Sequence, residues 1–238
     1  MKSIGQIQVE LQDSFGDDRT IASAAWTSSL DYQKKQGRSE EDVARVVKML
    51  ADLQHSVPFE SIIFRFWIKM PISTDRQFMT HRIASHSGMS GRYRTMPTEF
   101  QDMPQDVTII LKKCPYPNNG TAYQRAIADF YETLCYQANN FYEESIEHLK
   151  QSRDSKHITA DEYKRAREFL RGVLPQNNMT ERVTTINLRS FANFIKLRLS
   201  EHAQPEIRTV AQLMLEEVKE KAKCPIAIEW LEKNDWRL

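Results

Sequence analysis

The stretch SIIFRFWIKM, residues 61–70, decides the fold. Ile62, Phe64, Phe66, Ile68 and Met70 fall on one side of an extended chain, and Ile63, Arg65, Trp67 and Lys69 on the other. That pattern predicts a strand with one wholly apolar face, stopped or edged by Pro71. A strand so apolar needs helices to cover it. The sequence supplies them on both sides.

Upstream, Ile7, Val9 and Leu11 alternate with Gln8 and Glu10, as in a half-buried strand. A short helix is expected over Thr20 to Trp26. Ser39 ahead of Glu40, Glu41 and Asp42 marks a helix N-terminus, followed by the stripe Val43, Val46, Val47 and Leu50. Downstream, Thr121 to Gln151 carries an unbroken helical pattern through Ala126, Phe130, Leu134, Phe141 and Leu149. Thr159 with Asp161 and Glu162 opens another helix that closes before Pro175. Arg182 to Arg189 reads as a short strand rich in β-branched residues. Helices over Ser190–Ser200 and Pro205–Ala222 follow, the second with Pro205 in its first turn. The class is α+β, with a small, mostly antiparallel sheet flanked by long helices in one domain, 1–238.

Composition narrows the function classes. The chain has 238 residues, 40% hydrophobic and 27% charged, enough for one sizeable core. Thirty-three basic against 32 acidic residues leave a net charge of +1, so an extended nucleic-acid or acidic-membrane surface is not expected. No run approaches the roughly 18 apolar residues of a membrane span, and no signal-peptide pattern precedes the first strand. Cys114, Cys135 and Cys224 have no metal-type spacing, which suits a reducing cytoplasm; no metal site is expected. HExxH, CxxC, GxxxxGK and GxGxxG are all absent.

Against that neutral background, two segments concentrate chemistry. RQFMTHRIASHSGMSGRYR, residues 76–94, holds four arginines, three serines and two glycines. Ser90-Gly91-Arg92 combines a hydroxyl, a close backbone approach and a guanidinium, the makings of a phosphate grip. A solvated basic loop is the plain alternative. In the second segment, residues 182–207, Arg198 continues the apolar stripe of Phe191, Phe194 and Ile195. A guanidinium there must be paired in the core or point into an anion cavity. Asn187 and Arg189 would face the same way at a strand end, with a capping Asn and a salt bridge as the plain alternative. Arg171 could equally cap helix carbonyls.

These segments resemble the flavin-dependent thymidylate synthase family. His81-Arg82, seven residues, then Ser90 matches that family's signature, with Arg76-Gln77 before and Gly91-Arg92-Tyr93 after. Asn187-Leu188-Arg189-Ser190, with Asn193, Arg198 and His202-Ala203-Gln204, resembles its second flavin and nucleotide region. His55 with Pro58-Phe59-Glu60, and Arg171 with Leu174-Pro175, resemble two further elements in the right order. The resemblance implies a homotetramer of the family's α+β fold with FAD shared between subunits. Thymidylate would be made from dUMP, with methylenetetrahydrofolate and NADPH as co-substrates. By position, His55, Thr80, His81, Arg82, Ile83, Gly88, Asn187, Arg189 and Asn193 would lie at the flavin. Gln77, Ser90, Gly91, Arg92, Arg171 and Arg198 would hold the pyrimidine deoxynucleotide. Arg198 and His55 would be catalytic, Arg198 favouring the N3-deprotonated base.

The match has departures. Thr80 stands where the signature has its first Arg, and Ser87-Gly88 where Asn-Glu is usual. Val57 replaces a common Thr or Ser, and Ser61 a following His. A true synthase, a dUMP or dCMP hydroxymethylase of the kind used for viral DNA in a host cytoplasm, and a non-catalytic nucleotide-binding paralogue all remain open here. All three expect guanidinium groups from 82–92 and 189–198 to meet in one pocket.

Overall fold

The computed structural model describes residues 4–28, 34, 37–114 and 127–238. The expected helix start at Thr121 to Ala126 lies outside the described residues. Backbone contacts divide the chain into two compact units: Ile7–Met70, Thr74–Gly88 and Glu181–Leu238 form the larger, and Met1–Gln6, Pro71–Ser73 and Met89–Thr180 the smaller.

The larger unit is organised by a four-stranded sheet. Its strands are β2 (Gln8–Phe15), β3 (Ile63–Pro71), β4 (Ala84–Gly88) and β6 (Met179–Asn187), in the order β2-β3-β6-β4. β2 and β3 pair antiparallel, Leu11 opposite Phe66, with an irregularity between Leu11 and Asp13. β4 and β6 also pair antiparallel, His86 opposite Thr184 and Gly88 opposite Arg182. The expected apolar face of β3 is real: Ile62, Phe64, Phe66, Ile68 and Met70 are all fully buried. Pro71 ends the strand.

Helices α1 (Asp18–Trp26), α2 (Glu40–Asp52), α7 (Leu188–Arg198), α8 (Pro205–Lys221) and α9 (Pro225–Lys233) belong to this unit. Ser39 caps α2, accepting the Asp42 N–H at 3.2 Å. Asp17 caps α1 in a reciprocal box with Thr20. The buried Asp18 carboxylate accepts the Ile226 and Ala227 N–H groups at 3.1 and 2.8 Å, closing the N-terminus of α9. α7 docks on β3 through Phe191, whose ring lies 6.0 Å from Phe66 in a stacked arrangement and 5.3 Å from Phe64 edge-on. A 3₁₀ turn, Val57–Ser61, leads into β3 with Phe59 buried. α3 (Ile72–Phe78) begins in the smaller unit and ends here on the buried Phe78.

In the smaller unit, β1 (Ile4–Gly5) pairs parallel with β5 (Phe100–Gln101). Helices α4 (Gln105–Lys112), α5 (Ile127–Asp154) and α6 (Ala160–Leu170) complete it, with a 3₁₀ turn at Arg171–Val173. Thr159 and Glu162 form the capping box that the sequence suggested. Tyr142, Ile146 and Leu174 make its small core, and the Tyr142 hydroxyl accepts the Met96 N–H at 3.0 Å. The buried Asn139 and Asn178 amides bond each other at 2.7 and 3.3 Å.

Three expectations change. β6 begins at Met179 and ends at Asn187, so Arg189 is helical and does not share a strand face with Asn187. β4 crosses what reads as a loop, because Ala84, Ser85, His86 and Ser87 show no apolar alternation. α3, α4 and α9 and the short strands β1 and β5 have no sequence assignment. Among the described residues no helix is long and apolar enough to cross a membrane.

Replacing Phe64 by Ala should cost about 3–5 kcal/mol, because the ring is fully enclosed by other aromatics. The exposed Phe15→Ala is expected to stay within about 0.5 kcal/mol of the parent. Denaturant midpoints of the two variants check the assignment of this face as the core.

Candidate active site

The largest concentration of expected site residues lies in the larger unit. A cavity of about 660 Å³, within the ordinary range for ligand sites, is lined by Thr80, His81, Arg82 and Ile83 from the α3–β4 turn. Arg189, Ser190, Asn193, Lys196, Leu197 and Arg198 line it from α7. The helix explains the second set: Arg189, Asn193 and Leu197 follow at four-residue steps, opposite the buried Phe191, Phe194 and Ile195. Ile186, Trp236 and Leu238 complete the wall. The lining contains arginines and a lysine but no Asp or Glu side chain, so it suits an anion that also carries apolar surface.

Arg198 resolves its two sequence readings in favour of the cavity. It is half-buried, and its Nε donates to His81 Nε2 at 2.9 Å, leaving the terminal nitrogens for a ligand. The acceptor role requires a lone pair on Nε2, hence a neutral His81 with its proton on Nδ1. Burial, then the Arg198 charge, then His86 push the His81 pKa down to about 4, which keeps the ring neutral. Its ring meets Phe194 edge-on at 4.8 Å. His86 fixes the turn from below: Nε2 reaches the His81 carbonyl at 3.4 Å and Nδ1 the Thr184 hydroxyl at 3.1 Å.

Several expected residues do not line the cavity. Asn187 caps α7, its side chain accepting the Ser190 N–H at 2.8 Å, which is the plain alternative weighed for it. His55 is exposed beyond the C-terminus of α2. Gln77 lies on α3 with its buried Oε1 lacking a partner among the described residues. Thr80 reaches the cavity edge, yet its hydroxyl donates to the Gln77 carbonyl at 2.8 Å. Gly88 faces Arg182. A Cβ at 88 would stand 3.3 Å from Arg182 Nη2, and that buried guanidinium is already held by both Asp75 oxygens at 2.5 and 2.7 Å.

The remaining expected residues form a second cluster within the smaller unit. Ser90 to Arg94 is a turn in which Ser90 Oγ accepts the Arg92 N–H at 3.3 Å. Gly91 is buried, and a Cβ there would meet Arg171 Cδ at 2.7 Å, so only glycine admits the Arg171 side chain. Arg171 therefore lies along this turn rather than over helix carbonyls. Arg92 pairs with Glu168 at 3.5 Å, and Arg167 donates to the Arg92 carbonyl.

The sequence reading names Glu60 within the His55 element but gives it no role; it pairs with Arg189 and so ties the turn after His55 to the cavity wall. Its place beside Pro58 and Phe59 was the available signal. Lys196, Arg167 and Glu168 were missed, as helix-surface charges usually are. Burial raises the pKa of Cys135 and pushes that of Cys224 up to about 12, so neither offers a ready thiolate.

A family model described as thymidylate synthase complementing protein matches residues 10–225. The chain belongs to the flavin-dependent thymidylate synthase family. A flavin-dependent thymidylate synthase of Kosmotoga olearia is 35% identical over 227 residues, covering 93% of this chain and 88% of the relative. One from Thermus thermophilus is 33% identical, covering 90% and 72%. A solved structure of the UMP/dUMP methylase PolB from Streptomyces cacaoi, bound with 5-Br dUMP, superposes with a TM-score of 0.71 at 25% identity over 98% of this chain and 97% of that one. This chain is thus a transferase of a flavin-using family.

Two expectations follow from the family site as built here. Lowering the pH from 6.5 toward 4 places protons on unfolded histidine that native His81 resists, so stability falls through that window. His86, whose pKa burial also lowers, acts in the same direction. In His81→Gln the loss of Tm over the window should be smaller than in the parent; an equal loss would contradict the neutral-acceptor role. Asp75→Ala should cost about 3–5 kcal/mol by stranding Arg182, and Gly88→Glu added to it should recover part of that in denaturant titrations.

Proposed function

We propose that this chain transfers a one-carbon unit to C5 of a uridine nucleotide, with thymidylate from dUMP as the first product to seek. The observation that carries the proposal is the meeting of His81, Arg82, Arg189, Asn193 and Arg198, from two distant stretches, around one cavity lined by no Asp or Glu side chain. Their donor chemistry fits FAD, whose phosphates need cations and whose ring needs apolar walls. Methylenetetrahydrofolate is the one-carbon donor and NADPH the reductant in this reading. FAD, when bound, would supply the redox chemistry.

The chain's own residues bind, orient and set charge. Arg82, Arg189 and Lys196 take the flavin phosphates, and Asn193 a polar edge. Arg198, its Nε occupied by neutral His81, turns Nη1 and Nη2 toward the pyrimidine and lowers the cost of its N3 anion. In this reading Ser90, the Gly91 and Arg92 backbone and Arg171 hold a nucleotide phosphate in the smaller unit, and Gln77 is a nucleotide residue of the larger one. His55, beside the Glu60 that holds Arg189, serves the flavin and folate. Gly88 and Asn187 support this machinery, Asn187 as the cap of α7. Residues 1–238 work as one domain, in a cytoplasmic homotetramer with shared sites and no nucleic acid or membrane partner.

The solved relative is called a UMP/dUMP methylase, so both nucleotides belong in the assay. A methyl gain in product mass on dUMP or UMP supports the proposal. A hydroxymethyl gain would favour the hydroxymethylase reading, and no product from a flavin-loaded protein would favour the binding paralogue. Arg198→Ala should retain folding and flavin uptake while lowering turnover by about 10²–10³. Parent-like turnover in that variant would refute the role of Arg198.

A further inference from the structure

Residues after α9 build part of the cavity, and they lie beyond the 10–225 matched by the family model. Trp230 Nε1 and Asn234 Nδ2 both donate to Asp52, at 2.7 and 3.2 Å, pinning the end of α9 to α2. The chain then turns sharply. Asp235 and Trp236 both take φ of 54°, a left-handed pair without glycine, and the Trp236 N–H closes on the Leu231 carbonyl at 2.7 Å. Left-handed backbone is unusual for so bulky a residue as Trp and persists only where surrounding structure holds it.

The turn carries Trp236 inward. It is 5% exposed, its ring 6.1 Å from Phe191 and nearly perpendicular to it, and Leu238 follows at the cavity wall. The polar lining comes from the signature segment and α7, and Trp236 and Leu238 add to the apolar lining that Ile83, Ile186 and Leu197 supply. Indole and leucine in one lining with arginines suit a planar aromatic ring on a phosphorylated carrier.

We propose that Trp236 and Leu238, which follow the segment matched by the family model, are flavin-binding residues that form apolar surface for the flavin ring. The proposal depends on the flavin reading above. The strained turn holds this wall in place before the ligand arrives, so little ordering is left to binding.

The test is titration of the purified full chain with FAD, followed by flavin absorbance and emission, with Tm measured on each variant. In the parent, the indole beside the ring should quench bound-flavin emission. Trp236→Phe should keep FAD affinity within about threefold but recover emission, since Phe is no electron donor to excited flavin. Leu238→Asp should bind FAD about tenfold more weakly at parent Tm, because a charged side chain then replaces the leucine's apolar surface at the ring. Leu53→Asp, an exposed residue absent from the cavity lining, should change neither readout. Parent affinity in Leu238→Asp together with parent emission in Trp236→Phe would overturn the wall and leave the flavin reading standing. Failure of the parent itself to take up FAD would overturn both.

Discussion

The packing of α7 against the buried face of β3 is the constraint on which the larger unit depends. Phe191, Phe194 and Ile195 commit one side of the helix to a core already filled by Phe64, Phe66 and Phe78. With that side fixed, the helical period leaves Arg189, Asn193, Lys196 and Leu197 no place but the cavity. Arg198 sits at the seam between the two sides. Its bond to His81 converts a costly half-buried guanidinium into an oriented one, while burial first and then the Arg198 charge lower the basicity of His81.

Most of this was legible in the sequence. Period-two apolarity exposed β3, Ser39 and Thr159 announced their helices, and the arginines stood out because the chain is otherwise neutral. What stayed hidden was hidden for physical reasons. β4 carries Ser85, His86 and Ser87, whose partners lie a hundred residues away on β6, so no local pattern marks it. Asn187 was read as facing with Arg189, but a single residue decides where a strand ends and a helix begins. Trp236 and Leu238 reach the cavity through a left-handed turn, and no residue type there signals one.

The departures from the family signature look different once placed. Gly88 is opposite Arg182, and Asp75 already supplies the carboxylate that this guanidinium needs. The missing acid at 88 is therefore balanced inside the fold, since a glutamate would compete with Asp75 for one partner. Thr80 has no such compensation. Its hydroxyl is engaged with the Gln77 carbonyl, and the guanidinium groups of the lining come from Arg82, Arg189 and Arg198. Residue 80 is thus the departure that bears most directly on ligand chemistry.

The most direct measurement is a crystal structure of the protein soaked with FAD. The account predicts flavin density in the cavity between the His81–Ile83 turn and α7, with phosphate oxygens on Arg82 or Arg189 and Arg198 still bonded to His81 Nε2. Flavin density elsewhere on the chain, with that cavity filled only by water, would contradict it.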